Sequence, residues 1–400
     1  MGIILDIIFA IAAIAIVLAI AWFMSNDKKS IPFKGIAFML IAQLLITWFM
    51  FNTPIGKMII TTISDVFNKL IEFGKVGVDF VLGGISIESE ASVFFFDVLL
   101  IIVFFATILS VLTYLRILPW LIQFLGGVIS KITGLPKIES FNAVNSMFFG
   151  QSEALLAIKS QFHRVTENRL YIVSASAMGS VSASIVGAYL QMLPEQYVLV
   201  AIPLNMFSAL ILASIIAPVS VEDEDDAVDI KDVSESKSVF EAMANGALDG
   251  GKIALIVATM LIAFLASLEL VNFVLGAIAG GLTLQEILGW ILAPIAFLMG
   301  VPAGEIAQAG GIMGLKVITN EFVAMLELQA AMDGMSEKSI GVISVFLTSF
   351  ANFSSIGIIA GTVAGISSEK GKVVSRFGMK LLIGATLASI LSATIAGLFI

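Results

Sequence analysis

Residues 141–158 read FNAVNSMFFGQSEALLAI, an apolar stretch broken near its centre by Gly150, Gln151, Ser152 and Glu153. A carboxylate at membrane depth costs about 2.5–3.5 kcal/mol on insertion scales, so such a residue usually faces a cavity rather than lipid. Two further places share this character. Asn320-Glu321 sits within the apolar stretch 317–326, and Asn352-Phe353-Ser354-Ser355 sits within a later one. Together the clusters point to a polar substrate site buried in a membrane protein.

Composition agrees with the membrane reading. The chain is 59% hydrophobic, carries 30 Phe and is only 13% charged, with a mean hydropathy of +1.06. No soluble domain of this length needs so much apolar surface. With no Cys there is no disulfide framework, thiolate metal site or cysteine nucleophile. The net charge of −9 comes largely from one run, Glu222-Asp223-Glu224-Asp225-Asp226 with Asp229 and Asp232. Such a block reads as a solvated loop. Nothing is basic enough to suggest nucleic acid as a partner. The first apolar run lacks a basic leader and a small-residue cleavage pattern, so it reads as a retained helix.

A span needs about 20 apolar residues. Eight stretches qualify: 3–24, 35–51, 92–114, 170–190, 198–218, 253–274, 342–365 and 381–400. The stretches 141–158 and 287–317 are short or interrupted, the latter by Gly300-Val301-Pro302 and Gly310-Gly311. Interrupted segments of this kind are expected to be re-entrant hairpins, which are tolerated only where they line a cavity or pack in protein. Residues 53–84 mix apolar positions with Lys57, Asp65, Lys69, Glu72, Lys75 and Asp79, a pattern for a helix lying in the interface. Lys28, Lys29 and Lys34, then Arg116, Lys131, Lys137, His163, Arg164 and Arg169, and finally Lys370, Lys372 and Arg376 mark cytoplasmic loops. The Pro194-Glu195-Gln196 turn has no positive charge and falls outside, as do both termini; the acidic loop falls on the cytoplasmic side by span counting.

The chain also echoes itself. Glu153 precedes the Ser- and Gly-rich run 180–187, and Glu321 precedes the run 352–357 by a similar interval. Low-complexity apolar sequence produces such echoes by chance as well. If the echo is structural, Ser and Gly there interrupt a helix and free backbone groups to bind solute or ion.

Several side chains carry candidate chemistry. Gln151, Ser152 and Glu153 offer an amide, a hydroxyl and a carboxylate, donors and acceptors suited to a heterocyclic base; a helix end satisfied by its neighbours is the plainer alternative. Glu321 with Asn352 and Ser355 suits a ribose, whose hydroxyls donate to a carboxylate and accept from an amide; an ion pair of Glu321 with Lys316 is the alternative. Phe350 is either a packing residue or an apolar wall. Asp97 fits an interface position, and Glu305 fits the first turn of a helix. His163, the only histidine, reads as a loop residue and makes no metal site. No phosphate-binding loop and no nucleophile elbow occurs, so ATP-driven transport and hydrolysis have no support.

Four ordered motifs, 150–153, 182–189, 320–325 and 349–357, closely resemble the signatures of the concentrative nucleoside transporter family, nearest to its bacterial nucleoside permease branch. The resemblance runs through the whole chain. It implies an all-α polytopic protein of the bacterial inner membrane, with about eight transmembrane helices, two re-entrant helical hairpins, interfacial helices and an inverted-repeat transport domain. It also implies a homotrimer in the lipid bilayer and an elevator-type movement of the transport domain. On that basis residues 1–130 are mainly scaffold, 131–218 the first hairpin and broken helix, and 219–250 an acidic linker. Residues 251–285 are a scaffold helix, 286–366 the second hairpin and broken helix, and 367–400 the last span.

By matching motif, Gln151, Ser152 and Glu153 contact the base with Ile185 packing on it, while Glu321, Asn352 and Ser355 hold the ribose and Phe350 lines the site. Sodium-coupled members carry Asn four residues before the hairpin Gly; this chain has Ser146 there. A coupling-ion region of Ser146, Glu153 and the backbone near Ser180 and Val181 follows. The permease branch is associated with proton coupling, and a carboxyl held out of water makes Glu153 the natural proton carrier. No cofactor is expected beyond the coupling cation, H+ or Na+.

The expected function is therefore proton-coupled import of pyrimidine nucleosides and adenosine, with sodium coupling as the alternative. Two rivals stand beside it: a secondary transporter for another small polar solute, and an intramembrane enzyme or structural membrane protein. An enzyme would need a metal or nucleophile beside Glu153 and Glu321, and the sequence supplies neither.

Overall fold

A computed structural model describes residues 3–82, 93–219 and 236–400, and within these the chain is helical throughout. The acidic run at 222–232 and the side chain of His163 lie outside what is described. Helix α1 (Ile3–Phe23) and α2 (Phe33–Asn52) are apolar on all sides. Helix α3 (Pro54–Leu82) is amphipathic, burying Ile60, Ser64 and Ile71 along one face, as its charge pattern predicts. A π-helical turn at Phe95–Leu99 leads into α4 (Ile101–Tyr114). Asp97, expected at an interface, accepts the Val93 backbone N–H at 2.7 Å across this turn. Helix α5 (Ile117–Thr133) ends at Gly134 with φ +71°.

Two structural repeats follow. The first holds a hairpin, α6 (Lys137–Ala157), a helix broken into α7 (Glu167–Gly179) and α8 (Ala183–Tyr189), and a straight helix, α9 (Glu195–Ile216). The second holds a hairpin of α12 (Ile306–Ile318) and α13 (Glu321–Ala331), a helix broken into α14 (Glu337–Leu347) and α15 (Phe353–Ile366), and a straight helix, α16 (Ser368–Gly397). Between them run α10 (Val239–Ala279) and α11 (Leu284–Leu298). The inverted-repeat architecture implied by the family resemblance is present, with Glu153 and Glu321 in its two hairpins.

The first hairpin turns at Gly150, whose φ of 81° and ψ of −175° belong to glycine alone. That the chain reverses there follows from Asn145, whose Nδ2 donates to Ala154 O at 3.4 Å. Nine residues of straight helix would separate the two by about 13 Å. A Cβ on Gly150 would meet Ser182 Cβ at 3.0 Å. Gly150→Ala is therefore expected to cost about 1–3 kcal/mol through backbone strain alone. A melting temperature unchanged from wild type would contradict this account of the tip.

Four expectations are corrected. The stretches 170–190 and 342–365 are not continuous helices, because residues 180–182 interrupt the first between α7 and α8 and residues 348–352 interrupt the second between α14 and α15; with α7 and α8 counted as one, seven helices among the described residues are long and apolar enough to cross a membrane. The stretch 287–317 is not one hairpin: Gly300-Val301-Pro302 separates α11 from α12, and the hairpin tip lies at Thr319-Asn320. Lys370, Lys372 and Arg376 belong to the first turns of α16 rather than to a loop. The span expected from residue 253 begins at Val239, where Ser238 caps the helix by accepting Glu241 N at 3.1 Å. At 41 residues α10 is about 60 Å long, twice the hydrocarbon thickness, so it crosses steeply tilted or extends well beyond the bilayer.

Packing divides the helices. The broken helix α7–α8, α9 and most of α16 are buried within the bundle, whereas α1, α2, α4 and α10 are largely exposed on their outer faces. Helix α10 packs on α4 through Gly246 and Gly250, where a Cβ would lie 2.7 Å from Ala106 O and 2.6 Å from Val103 Cα. Small residues spaced four apart let two backbones approach this closely. Helices α1 and α2 pack instead on α9 and α16.

Candidate functional site

Neither half of either broken helix is long enough to cross a bilayer, so both breaks fall inside the protein. The two breaks are tied together: the Phe350 N–H donates to Ser180 O at 3.1 Å. In addition, the Asn205 side chain on α9 donates to Thr348 O. Four helical segments then begin at one cavity of about 210 Å³, at Gly150, Ser182, Asn320 and Asn352. Two of these starts are capped by asparagine. Asn320 Oδ1 accepts Val323 N and Asn352 Oδ1 accepts Ser355 N, each at 3.0 Å.

The eight residues assigned to base and ribose contacts, Gln151, Ser152, Glu153, Ile185, Glu321, Phe350, Asn352 and Ser355, all line this cavity. They come from both hairpins and both broken helices, separated by up to two hundred residues of chain. Gln151 Oε1 and Ser355 Oγ are buried with no protein partner. A buried polar atom without a partner is costly, so these two are poised for a ligand. The Ser152 hydroxyl lies 3.1 Å from Thr362 Oγ1 on α15, bridging the repeats.

Glu321 is held from both sides. Tyr189 Oη donates to Oε1 at 2.9 Å and Asn352 Nδ2 donates to Oε2 at 3.0 Å. As the first residue of α13, Glu321 also meets the positive end of that helix. The Phe322 ring packs edge-on against Tyr189 at 5.2 Å, fixing the phenol. The alternative ion pair with Lys316 does not form; that ammonium is bonded to Phe346, Ser349 and Ser389.

Glu153 has a different setting. It lines the 210 Å³ cavity and also a second one of about 470 Å³, whose walls include Ser110, Thr113, Asn245, Asp249 and Lys252. Of the other residues expected at a coupling ion, Ser146, Ser180 and Val181 are buried behind the hairpin tip and line neither cavity. Ser180 Oγ donates to Ser146 O and Ala177 O, each at 3.1 Å. Ser146 Oγ turns back to Asn142 O at 2.7 Å.

Sequence reasoning missed part of the wall. Ile253, Ile256, Val257 and Met260 of α10 close the cavity along one helical stripe. An all-apolar helix marks no face for a reader of sequence. Tyr189 was quoted only as part of a motif, and Lys316 only as a partner for Glu321. Glu305, expected in a first turn, instead accepts Ser336 N and Oγ at 3.1 and 3.0 Å, tying α12 to α14.

Comparison with known proteins bears directly on this cavity. Family models for the C-terminus and N-terminus of Na+ dependent nucleoside transporters match residues 197–397 and 12–85, and a nucleoside recognition model matches residues 95–195. The chain belongs to the concentrative nucleoside transporter family. Within it, the chain falls in the bacterial permease branch. It is 39% identical to the purine nucleoside transport protein NupG of Bacillus subtilis, with 98% of each chain covered. It is 32% identical to the nucleoside permease NupC of Helicobacter pylori, again over 98% of each. Among solved structures, it superposes on CNTnw in an inward-facing substrate-bound state with a TM-score of 0.93 at 32% identity, covering 98% of both chains. A variant of the same protein in an outward-facing state gives the same score over 99% of both chains. These relatives are transporters rather than enzymes, and this family member is a multi-pass protein of the bacterial inner membrane.

Proposed function

We propose that this transporter is a proton-coupled symporter that binds an intact nucleoside in the 210 Å³ cavity, with the base on the first hairpin and the ribose on the second. The observation that carries the reading is the paired holding of Glu321 by Tyr189 and Asn352 beside the unpartnered Ser355 hydroxyl. That arrangement leaves lone pairs of a fixed carboxylate and a free hydroxyl for two adjacent sugar hydroxyls. Gln151, with its unpartnered Oε1, Ser152 and Glu153 read the base edge, and Ile185 and Phe350 pack against the ligand.

Movement is of the elevator type. The two repeats form the carried unit, and α1 to α4 with α10 form the frame in a homotrimer, α1 and α2 lying along its contact with α9 and α16. Ile253, Ile256, Val257 and Met260 of α10 are then the stationary wall across which the nucleoside slides, and apolar residues suit a wall that must release each contact in turn.

Ser146 supports proton rather than sodium coupling. Its hydroxyl, which donates to Asn142 O, stands in place of the Asn side chain of the sodium-coupled pattern and is a poorer ion ligand than an amide oxygen. Glu153, open to both cavities, is the proton carrier. As for the base, the sequence resemblance favours pyrimidine nucleosides and adenosine. A second reading, purine preference, is favoured by the 39% identity to a purine nucleoside transport protein.

Calorimetric titration of the purified protein tests both points. Uridine and adenosine are expected to bind while free ribose and free base do not. Binding heats are expected to depend on buffer ionisation enthalpy, showing proton uptake, and the affinity is expected to be indifferent to Na+. Tighter binding in Na+ with no proton uptake would overturn the coupling assignment. Inosine and guanosine displacing adenosine while uridine does not would select the purine reading.

A further inference from the structure

The second repeat buries a lysine that the substrate contacts do not use. Lys316 lies on α12, four residues before Asn320, and has no exposed surface. Its Nζ meets Phe346 O at 2.5 Å, Ser349 Oγ at 2.6 Å and Ser389 Oγ at 3.2 Å. Ser349 Oγ and Ser389 Oγ lie 2.8 Å apart, and Ser389 Oγ is also within 3.1 Å of Ala385 O. The Phe346 carbonyl can only accept, and the three oxygens around Nζ equal in number the three N–H bonds of an ammonium. The Phe346 ring lies 4.4 Å from the same nitrogen, a further site for a cation. Phe346 is one residue from the end of α14, the negative end of a half-helix.

The first repeat has the same junction without the charge. Ser146 lies four residues before Gly150, as Lys316 lies four before Asn320. It meets the end of α7 as Lys316 meets the end of α14. There the neutral hydroxyl of Ser180 lies 3.1 Å from the carbonyls of Ser146 and Ala177. One junction holds a covalently attached cation, and its counterpart holds none.

We propose that Lys316 is a tethered cation that fastens the broken end of α14 to α12 and α16 in the second repeat. It acts as a positioning residue. Its partner Ser349 begins the loop that presents Phe350 and Asn352 to the cavity, so the ammonium fixes the loop that fixes Glu321. The assignment does not depend on which cation drives transport.

The test uses two variants of the full chain. Lys316→Met keeps the volume and removes the charge, and Lys316→Ala opens room for ethylammonium. Melting temperature and nucleoside affinity are measured for each, with and without that amine. Lys316→Met is expected to lose at least about tenfold in nucleoside affinity. Lys316→Ala is expected to melt lower than wild type and to recover melting temperature and affinity in ethylammonium, which leaves wild type unchanged. Wild-type affinity in Lys316→Met overturns the proposal. So does Lys316→Ala that ethylammonium fails to restore, including a failure to fold in its presence. The melting arm reads out without any nucleoside, so rescue of stability in a protein that binds no nucleoside would sink the transport reading and leave the cation assignment standing.

Discussion

Glu321→Gln is expected to fold normally and to lose roughly ten- to several-hundred-fold in nucleoside affinity. Glutamine can satisfy its neighbours: its Oε1 accepts from Asn352 Nδ2 and its Nε2 donates to Tyr189 Oη, reversing only that hydroxyl. Asn352 cannot flip to compensate, because its Oδ1 is pinned by Ser355 N at 3.0 Å and Ser354 Oγ at 2.7 Å. What the amide cannot supply is an anion for the ribose hydroxyls. A hydrogen bond to a charged group contributes about 1.5–3 kcal/mol net, or about 10- to 150-fold in affinity, for each hydroxyl that Glu321 holds. Equal affinity in the variant would move the ribose elsewhere, and would favour a ribose-free solute as the cargo.

The second large effect falls on stability. Arg169 on α7 pairs with Glu139 on the first arm of α6, with Nε to Oε1 at 2.5 Å and a second nitrogen to Oε2 at 2.9 Å, both side chains buried. This pair fastens the first hairpin to the broken helix behind it. Removing one partner strands a buried charge at about 3–5 kcal/mol, whereas replacing both by apolar residues avoids that penalty. Glu139→Gln and Arg169→Met are each expected to lower the melting temperature sharply, and Glu139→Met with Arg169→Met to lower it less than either. Additive losses in the double variant would show that the pair does not act as a unit.

The site was legible because polar side chains are expensive in an apolar chain. Gln151, Glu153, Glu321 and Asn352 stand out against Phe, Leu and Val for that reason alone, and all four line one cavity. The breaks in the helices were harder. Residues 348–352 read Thr-Ser-Phe-Ala-Asn, too little polarity to split a hydropathy window, although Asn352 with Ser355 is a capping pattern. Helix α10 was read as starting at 253 because Asp249 and Lys252 interrupt the apolar run, while the Ser238 and Glu241 cap lay further back. Lys316 was weighed only against Glu321, five residues on. Five residues place two side chains about 140° apart on a helix, and Thr319 and Asn320 break the helix between them. Its true partners, Phe346, Ser349 and Ser389, lie thirty to seventy residues away, and no local pattern announces them. The apolar wall from α10 is silent in sequence for the opposite reason, since nothing distinguishes its cavity face from its lipid face.

The central claim is that an intact nucleoside crosses with a proton. Uptake of labelled uridine and adenosine into proteoliposomes, under proton and sodium gradients imposed separately, tests it most directly. An inward proton gradient is expected to drive accumulation of nucleoside, a protonophore to abolish it, and a sodium gradient alone to add nothing. Accumulation that follows sodium and survives the protonophore would contradict the coupling, and no accumulation of either nucleoside under either gradient would contradict the account as a whole.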